Sequence, residues 1–107
     1  MMTEIEVYQY RRFMGEAKFY LNEAEKFEEN REFLLAQSRY MSALTEYENA
    51  YKMVENIKDF RVNIVYDKIQ YCSRKIFDMA IKYDRELLRN YENLCCGGEV
   101  WTEMKSI

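Results

Sequence analysis

The chain of 107 residues contains no proline and only three glycines. A β-rich fold needs turn-forming residues at about every 8 to 12 positions, so a sequence with so few of them is a poor candidate for one. The default prediction is therefore helix. Independent domains usually contain about 100 to 150 residues. We expect a single all-α domain with one core.

The charge pattern and the missing histidine narrow the classes of function. Sixteen basic and nineteen acidic residues are interleaved along the chain and give a net charge of -3. A phosphate-binding surface needs a concentrated basic field, so we expect no nucleic-acid partner. Histidine, the commonest general base and metal ligand, is absent. Its absence argues against an enzyme, a metal site or another cofactor.

The sequence gives three indications about compartment. It has no apolar run near the ~20 residues of a transmembrane helix, so we expect no membrane span. Glu4 and Glu6 lie where a signal peptide would be basic and then apolar. Three cysteines are an odd number, which fits a reducing compartment better than a disulfide scaffold. We expect a cytoplasmic protein.

A first helix is predicted over residues 3–29. Thr3 followed by Glu6 matches a capping box, in which each side chain satisfies the other residue's free amide. Apolar residues then recur in steps of three and four, which places them on one face of a helix. This stripe consists of Val7, Tyr10, Met14, Ala17, Leu21, Ala24 and Phe27. We expect a neighbouring backbone to approach Gly15 closely, and Glu28 and Glu29 to be solvated.

A second helix is predicted over residues 31–57. Asn30 precedes it in a stretch without apolar residues, and asparagine both tolerates a left-handed conformation and caps helices, so we place the first turn there. In this helix a column of small residues runs beside a column of large ones, which favours close packing by a partner helix. The columns are Ala36, Ala43 and Ala50, and Tyr40, Tyr47 and Val54.

A third helix is predicted over residues 60–95. We place the preceding break within residues 56–60, with Asp59 as the best cap candidate and one continuous second and third helix as the alternative. The inward stripe is the most regular in the chain and continues, with a phase shift, to the end of the helix. It consists of Val62, Val65, Ile69, Cys72, Ile76, Met79, Tyr83, Leu87, Tyr91 and Leu94. Gly97-Gly98 would end the helix by supplying a left-handed residue.

Together these segments predict an antiparallel three-helix bundle that forms a single domain over residues 1–98. Residues 99–107 form a short amphipathic tail with Val100, Trp101, Met104 and Ile107 at helical spacing. Such a segment is too short to be a stable isolated helix. We expect it to dock, either in a groove of its own bundle or on a second copy or another protein.

Residues 17–50 resemble one helical hairpin of the tetratricopeptide family. When a repeat of about 34 residues is counted from Ala17, aromatic, small and apolar residues occupy the family's expected positions. These residues are Tyr20, Ala24, Phe27, Phe33, Ala36, Tyr40, Ala43 and Leu44. The pattern does not recur one repeat further on, so no array is predicted.

Three residues of this stretch depart from the tetratricopeptide pattern. Glu23 replaces an apolar residue, Arg31 replaces the turn glycine and Glu48 replaces proline. A single hairpin followed by a third long helix is also similar to the microtubule-interacting and trafficking domain, a three-helix module. That resemblance implies binding of short helical peptides in a groove between helices.

The cysteines are candidates for thiol chemistry. Cys95 and Cys96 are adjacent and precede two glycines, so a soft-metal site or a redox sensor is one hypothesis. They supply only two ligands, however, and no second pair completes a tetrahedral site. We favour a structural role for them. Cys72 lies in the stripe of the third helix and is expected in the core.

The aromatic residues give the best functional lead. Several large side chains lie off the inward stripes, which indicates helices covered on more than one side or an exposed binding patch. The candidate interaction surface is Tyr8, Phe19, Tyr20, Tyr66 and Phe77, with Trp101 and Met104 of the tail.

From these residues we predict a small non-catalytic interaction module that presents an interhelix groove and an aromatic surface. Its partner would be another protein or a helical peptide. A self-associating bundle completed by homodimerisation is the first alternative. A thiol-based sensor using Cys95 and Cys96 is the second.

Overall fold

The computed structural model describes residues 2–56 and 59–94 and contains three helices in that part of the chain. α1 spans Glu4–Glu29, α2 spans Phe33–Val54 and α3 spans Phe60–Leu94. α1 and α2 form a hairpin, and α3 packs on another face of α2. The fold is therefore an all-α three-helix bundle, as predicted. Over the same residues, no helix combines the length and the apolar content that a membrane span requires.

Side-chain contacts establish the directions of the helices. Glu23 on α1 pairs with Arg39 on α2 at 3.1 Å. Gln37 on α2 donates a hydrogen bond to the carbonyl oxygen of Ile76 on α3 at 3.2 Å. At the other end, the guanidinium of Arg61 at the start of α3 lies 5.9 Å from the ring centroid of Tyr10 near the start of α1. α1 and α3 therefore run in the same direction, and α2 is antiparallel to both.

α1 begins with the predicted capping box. The Thr3 hydroxyl accepts a hydrogen bond from the Glu6 N–H at 3.2 Å, and the Glu6 carboxylate accepts one from the Thr3 N–H at 3.1 Å. The bond from the Thr3 backbone is the main reason that the pKa of Glu6 is lowered. The backbone N–H groups of Thr3 and Glu6 are thus satisfied, and the prediction of a capping box is confirmed.

The left-handed residue of the turn after α1 is Arg31, not Asn30. Arg31 has φ 60°, whereas Asn30 has φ -86° and ψ 7°. The Arg31 N–H donates to the Glu28 carbonyl at 3.0 Å and the Glu32 N–H donates to the Phe27 carbonyl at 2.9 Å. These are the two hydrogen bonds of a Schellman motif, which places the left-handed residue one position after the C-cap. The turn lies at Asn30, where it was predicted, but its left-handed residue is Arg31, because the carbonyls of Phe27 and Glu28 accept their hydrogen bonds when the residue after the C-cap is left-handed.

α2 is shorter than predicted. It begins at Phe33 because the turn uses the residues before it, and residues 55–56 form a turn after its last residue. Asp59 caps α3, since its carboxylate accepts a hydrogen bond from the Arg61 N–H at 3.0 Å. α2 and α3 are separate helices, and the continuous-helix alternative is wrong.

The core is centred on α2. Its buried residues are Phe33, Ala36, Tyr40, Ala43, Tyr47, Ala50 and Val54. α1 contributes Tyr10, Ala17, Leu21 and Ala24, and α3 contributes Val65, Cys72 and Met79. The predicted small and large columns of α2 are therefore both buried. Alanines allow close approach of the neighbouring helices, and the tyrosines fill the space beside them.

Two packing predictions are wrong. Apart from the adjacent backbone of α1 itself, no atom lies within 4 Å of the position that a Cβ would take on Gly15, so no neighbouring backbone approaches it. At the end of α3, Leu87, Tyr91 and Leu94 are 49%, 37% and 82% exposed instead of buried. Every residue of α3 after Glu86 is exposed. The apolar stripe continues to the end of α3, but α2 begins only at Phe33 and does not extend far enough along α3 to cover it.

Candidate functional site: the α1–α3 groove

A concave groove runs between α1 and α3. Both helices pack on α2, and in the described ranges their backbones make no extended contact with each other. Two cavities of about 650 and 510 Å³ open along this line, and Glu25 lines both. Tyr40 lines the first cavity from α2 and Tyr47 lines the second. We call this feature the α1–α3 groove.

Four side chains form a hydrogen-bonded cluster across the groove, here called the Glu28 cluster. The Tyr40 hydroxyl donates to Glu28 Oε1 at 2.7 Å. Lys75 Nζ lies 2.8 Å from Oε1, and Lys82 Nζ lies 3.0 Å from Oε2. Asp78 adds a carboxylate 3.4 Å from Lys82 Nζ. One carboxylate of α1 therefore binds side chains of both other helices.

The Glu28 cluster holds fixed charges. Burial raises the pKa of Glu28, whose side chain is 18% exposed, but the hydrogen bonds from Lys75, Tyr40 and Lys82 outweigh burial and lower the pKa to about 2. Burial and then the bond to Glu28 raise the pKa of Tyr40. The bond to Glu28 also raises the pKa of Lys82. At neutral pH, Glu28 is thus an anion, Tyr40 a neutral donor and Lys82 a cation.

The prediction that Glu28 is solvated is wrong, and the spacing of residues along α1 already indicated that Glu28 lies on the buried face. Glu28 follows Ala24 by four residues and Leu21 by seven, so it lies on the buried face of α1. A carboxylate at such a position needs hydrogen-bonding partners. Lys75 and Lys82 could not be assigned as those partners, because their position relative to α1 depends on the geometry of both turns.

The groove as a whole is richer in basic than in acidic side chains. The basic residues lining its two cavities are Lys18, Arg31, Lys68, Lys75, Lys82, Arg85 and Arg89, and the acidic ones are Glu25, Glu28, Glu29 and Glu86. Arg31 pairs with Glu86 at the turn. Arg85 and Arg89, one helical turn apart, are exposed, and neither forms an ion pair with another described residue. The groove is therefore locally basic in a chain of net charge -3.

Buried groups beside the groove are kept neutral. Cys72 is fully buried, as predicted, and burial raises the pKa of its thiol to about 11. Burial likewise raises the pKa of Tyr47 to about 12. Over residues 2–56 and 59–94, no three side chains of the metal-binding types lie close enough together to hold an ion.

The predicted aromatic surface is divided between two helices. On α1, Tyr8 and Phe19 are 70% and 60% exposed; on α3, Tyr66 and Phe77 are 52% and 70% exposed. Each pair is separated by eleven residues, about three helical turns, and so forms one row along its helix. Tyr20 differs, because it packs partly against the core with its ring centroid 5.8 Å from that of Phe19. The structure thus presents two rows and not one patch.

The other candidate residues lie outside the described part of the chain. They are Cys95 and Cys96 of the thiol hypothesis and Trp101 and Met104 of the tail. The same is true of the glycine pair expected to end α3. These assignments stay predictions.

Comparisons of the chain with protein-family models, with curated proteins and with solved structures gave no match. The tetratricopeptide and microtubule-interacting resemblances therefore stay predictions from the sequence. The class that the structure defines is an all-α three-helix bundle.

Proposed function

We propose that this protein is a small, non-catalytic interaction module that binds a helical segment of another protein in the α1–α3 groove. The observation that carries the proposal is the packing of α1 and α3 on a shared α2, which leaves cavities of about 650 and 510 Å³ between them. Laying a helix into a groove between helices is a common mode of peptide recognition.

The charges of the groove support a partner with acidic side chains. Arg85 and Arg89 extend the basic lining beyond the Glu28 cluster, and their guanidinium groups are available to carboxylates. Phe33 and Tyr71 line the same cavity and supply apolar surface. We therefore propose a partner helix that combines apolar residues at positions i, i+3 or i+4 and i+7 with acidic residues beside them.

A binding role fits the protonation states of the groove better than catalysis does. A general base works best with a pKa near the operating pH. The pKa of Glu28 is about 2, and those of Tyr40 and Lys82 are raised above their ordinary values, so none of the three lies near neutral pH.

We further propose a cytoplasmic setting, which the odd number of cysteines supports.

A selection experiment tests the proposal without a known partner. A displayed library of random helical peptides is panned against the full chain, and the binders are sequenced and mapped by chemical-shift changes. We expect acidic, amphipathic peptides whose shifts localise to α1, α3 and the Tyr40 ring. Binders that map elsewhere, or a failure to select any acidic amphipathic peptide, would contradict the proposal.

Charge reversal in the groove supplies the matched comparison. The double variant Arg85→Glu and Arg89→Glu should weaken binding of the selected peptides by about tenfold or more, equivalent to about 1.4 kcal/mol. The control is Arg74→Glu, which changes an exposed arginine of the same helix that lines neither cavity. Equal losses in the groove variant and in the control would argue against a groove-specific partner.

Self-association is the second candidate function, and the two exposed aromatic rows favour it. Large exposed apolar surfaces on a soluble domain commonly mark interfaces. The double variant Tyr66→Ser and Phe77→Ser should reduce any dimer detected by sedimentation velocity, with Ser73→Ala as a control on the same exposed side of α3. A wild-type chain that stays monomeric up to high micromolar concentration would reject this alternative.

The thiol-sensor hypothesis is kept as a prediction for Cys95 and Cys96. Replacing both by serine should change the response to oxidation or the bound metal content if they act as a sensor. Unchanged stability, metal content and oxidation behaviour would eliminate it.

A further inference from the structure

The outer side of α1 carries aromatic and charged side chains in an ordered row. At steps of four, four and three residues, they share one side of the helix. They are Tyr8, Arg12, Glu16 and Phe19. Tyr8 and Phe19 are largely exposed, and the side chains of Arg12 and Glu16 are 63% and 45% exposed. We call these four residues the outer α1 face.

The outer α1 face is self-complementary about one point on the helix. The midpoint of Tyr8 and Phe19 lies between residues 13 and 14, and the midpoint of Arg12 and Glu16 lies at residue 14. A two-fold rotation about this point reverses the direction of the helix. It therefore brings an aromatic ring opposite an aromatic ring and a cation opposite an anion. An isologous interface requires such a match, because the same surface has to bind itself.

We propose that two copies of this chain associate through their outer α1 faces, with the two helices antiparallel about a two-fold axis near Met14. In this contact, the Tyr8 ring of each copy packs against the Phe19 ring of the other, and Arg12 of each copy pairs with Glu16 of the other. The proposal does not depend on the groove function. It rests on the self-association candidate and specifies the surface and the geometry of that association.

The charges of the outer α1 face favour a second copy as its occupant. Arg12 and Glu16 form an ion pair within α1 at 3.3 Å. In the antiparallel contact, each such pair lies beside the reversed pair of the other copy, so opposite charges are neighbours throughout. Parallel helices would instead place arginine beside arginine and glutamate beside glutamate, which is unfavourable. The charges therefore select both the occupant and its direction.

Gly15 lies next to the proposed axis and suits a close contact between helices. It follows Tyr8 by seven residues and precedes Phe19 by four, so it lies on the same side of α1. A glycine inside a helix costs about 1 kcal/mol relative to alanine. Apart from the backbone of α1 itself, no atom of the described residues lies within 4 Å of the position that its Cβ would take. The second copy supplies the missing reason for a glycine, because the two backbones approach each other there.

The aromatic ring at one end of the contact is already held in place. Phe19 makes an edge-on contact with Tyr20 at 5.8 Å between ring centroids, and Tyr20 packs partly against the core. Burying Phe19 in a dimer therefore loses less conformational entropy than burying a freely rotating side chain.

The length of the outer α1 face indicates a weak dimer. Tyr8 and Phe19 are eleven residues apart, which corresponds to about 17 Å along the helix. A contact of this length between two single helices is smaller than the about 800 Å² per partner of a standard interface. We therefore expect dissociation in the micromolar range.

Sedimentation velocity of the full chain from low to high micromolar concentration tests the surface. We expect a concentration-dependent dimer, and the double variant Tyr8→Ser and Phe19→Ser should raise its dissociation constant by about tenfold or more. A wild-type chain that stays monomeric would overturn this proposal together with self-association. A dimer that the Tyr66 and Phe77 variant weakens, and the Tyr8 and Phe19 variant does not, would overturn this proposal alone.

Charge reversal tests the pairing of Arg12 with Glu16. Arg12→Glu brings only carboxylates into the contact and Glu16→Arg brings only guanidinium groups, so each variant alone should be monomeric. The two variants mixed in equal amounts should form a heterodimer. Arg11→Glu is the matched control, because Arg11 is exposed but points about 100° away from Arg12 around α1. A mixture that does not associate, or an equal loss in the control, would overturn the assigned contact.

Cysteine cross-linking tests the direction of the helices. In the antiparallel contact, the two copies of residue 15 are about 3 Å apart along the axis, whereas the two copies of residue 22 are about 24 Å apart. In a chain with Cys95 and Cys96 replaced by serine, Gly15→Cys should form a disulfide-linked dimer under mild oxidation and Asn22→Cys should not. Cross-linking of both variants would indicate parallel helices, and cross-linking of neither would place the contact elsewhere; either result would overturn the proposal.

Peptide binding separates this proposal from the groove function. Tyr8 and Phe19 do not line the cavities of the α1–α3 groove. The double variant Tyr8→Ser and Phe19→Ser should therefore lose the dimer, keep its helices in far-ultraviolet circular dichroism and bind the selected acidic peptides as the wild type does. A parallel loss of helicity would show that the rings act in the fold, and would overturn their assignment to the dimer.

Discussion

Replacing Glu28 by glutamine is the most direct test of how the three helices are joined. Glutamine has nearly the shape of glutamate and can still accept the hydrogen bond from Tyr40. It removes the negative charge that Lys75 and Lys82 contact at 2.8 and 3.0 Å. Hydrogen bonds with an ionised partner are about twice as strong as neutral ones. We expect the variant to fold and to be markedly less stable at neutral pH.

The size of the effect follows from the pKa of Glu28. That pKa is lowered from 4.5 to about 2, and one pKa unit corresponds to about 1.4 kcal/mol, so ionisation of Glu28 stabilises the fold by about 3 kcal/mol at neutral pH. Lys82 is 36% exposed, which makes this figure an upper limit.

The pH dependence has a definite sign. Because the folded pKa lies below the ordinary value of 4.5, the stabilisation is complete above that pH and is lost as the pH falls towards 2. Glutamine resembles the protonated acid throughout. The difference between wild type and Glu28→Gln should therefore shrink from about 3 kcal/mol at pH 7 to about 1.5 kcal/mol at pH 3.

Urea unfolding followed by circular dichroism at pH 7 and at pH 3 measures both quantities. Glu29→Gln is the matched control, since Glu29 is exposed and lines the same cavity but forms no ion pair with a described residue. It should change the free energy of unfolding by less than about 0.5 kcal/mol. A Glu28→Gln effect equally small at pH 7, or equally large at both pH values, would refute the reasoning.

Three further substitutions probe local features. Gly15→Ala should stabilise the protein by about 0.5 to 1 kcal/mol in thermal unfolding, because a Cβ meets nothing within 4 Å; a loss of stability would show a hidden contact. Burial and the neighbouring Glu16 raise the pKa of Glu46, so the ionised carboxylate that is present at pH 7 destabilises the fold. Glu46→Gln should therefore raise the melting temperature at pH 7 but not at low pH. An equal gain at both pH values would count against this cause. Arg31→Gly and Arg31→Ala both lose the ion pair with Glu86, but only glycine adopts the left-handed conformation at this position without steric strain. The glycine variant should therefore be more stable than the alanine variant by about 1 kcal/mol in urea unfolding. Equal stabilities would contradict the assigned strain.

The parts of the fold that depend on local sequence were predictable. The capping box needs only Thr3 and Glu6, and both hydrogen bonds form. The stripe predicted for α3 in steps of three and four includes Val65, Cys72 and Met79, which are the fully buried residues of that helix. Periodicity works here because burial on one side of a regular helix is set by the helix geometry alone.

The corrections concern the detailed geometry of one turn and a feature that depends on a second segment. The turn at Asn30 was placed correctly, but residue preference suggested Asn30 for the left-handed conformation, whereas the Schellman hydrogen bonds to Phe27 and Glu28 place Arg31 in it. The tetratricopeptide resemblance aligns residue 31 with a turn glycine, and glycine is the residue that left-handed positions favour. That alignment therefore indicated residue 31 as the left-handed position. Leu94 lies on the face of α3 that is buried elsewhere, but burial also requires a partner helix beside it. α2 starts at Phe33 and does not extend along α3 as far as Leu94.

The candidate site was predictable only as a type of surface. A groove between helices was expected, but its charge was not, because Glu28 was assigned to solvent and Arg85 to no site. Pairing Glu28 with Lys75 requires the relative rotation of α1 and α3. That rotation depends on the two turns and on how α1 and α3 pack on α2, and the residue types at positions 28 and 75 do not determine it.

The shared position of α2 has a consequence for motion. α1 and α3 each dock on α2 but make little backbone contact with each other in the described ranges, so α3 can detach as a unit while the α1–α2 hairpin persists. Cys72 is fully buried on α3, and its thiol is protonated until such an opening occurs. In a chain with Cys95 and Cys96 replaced by serine, the alkylation rate of Cys72 should therefore report this opening. Glu28→Gln should accelerate the reaction, since the Glu28 cluster contributes some of the contacts that α3 must break to leave.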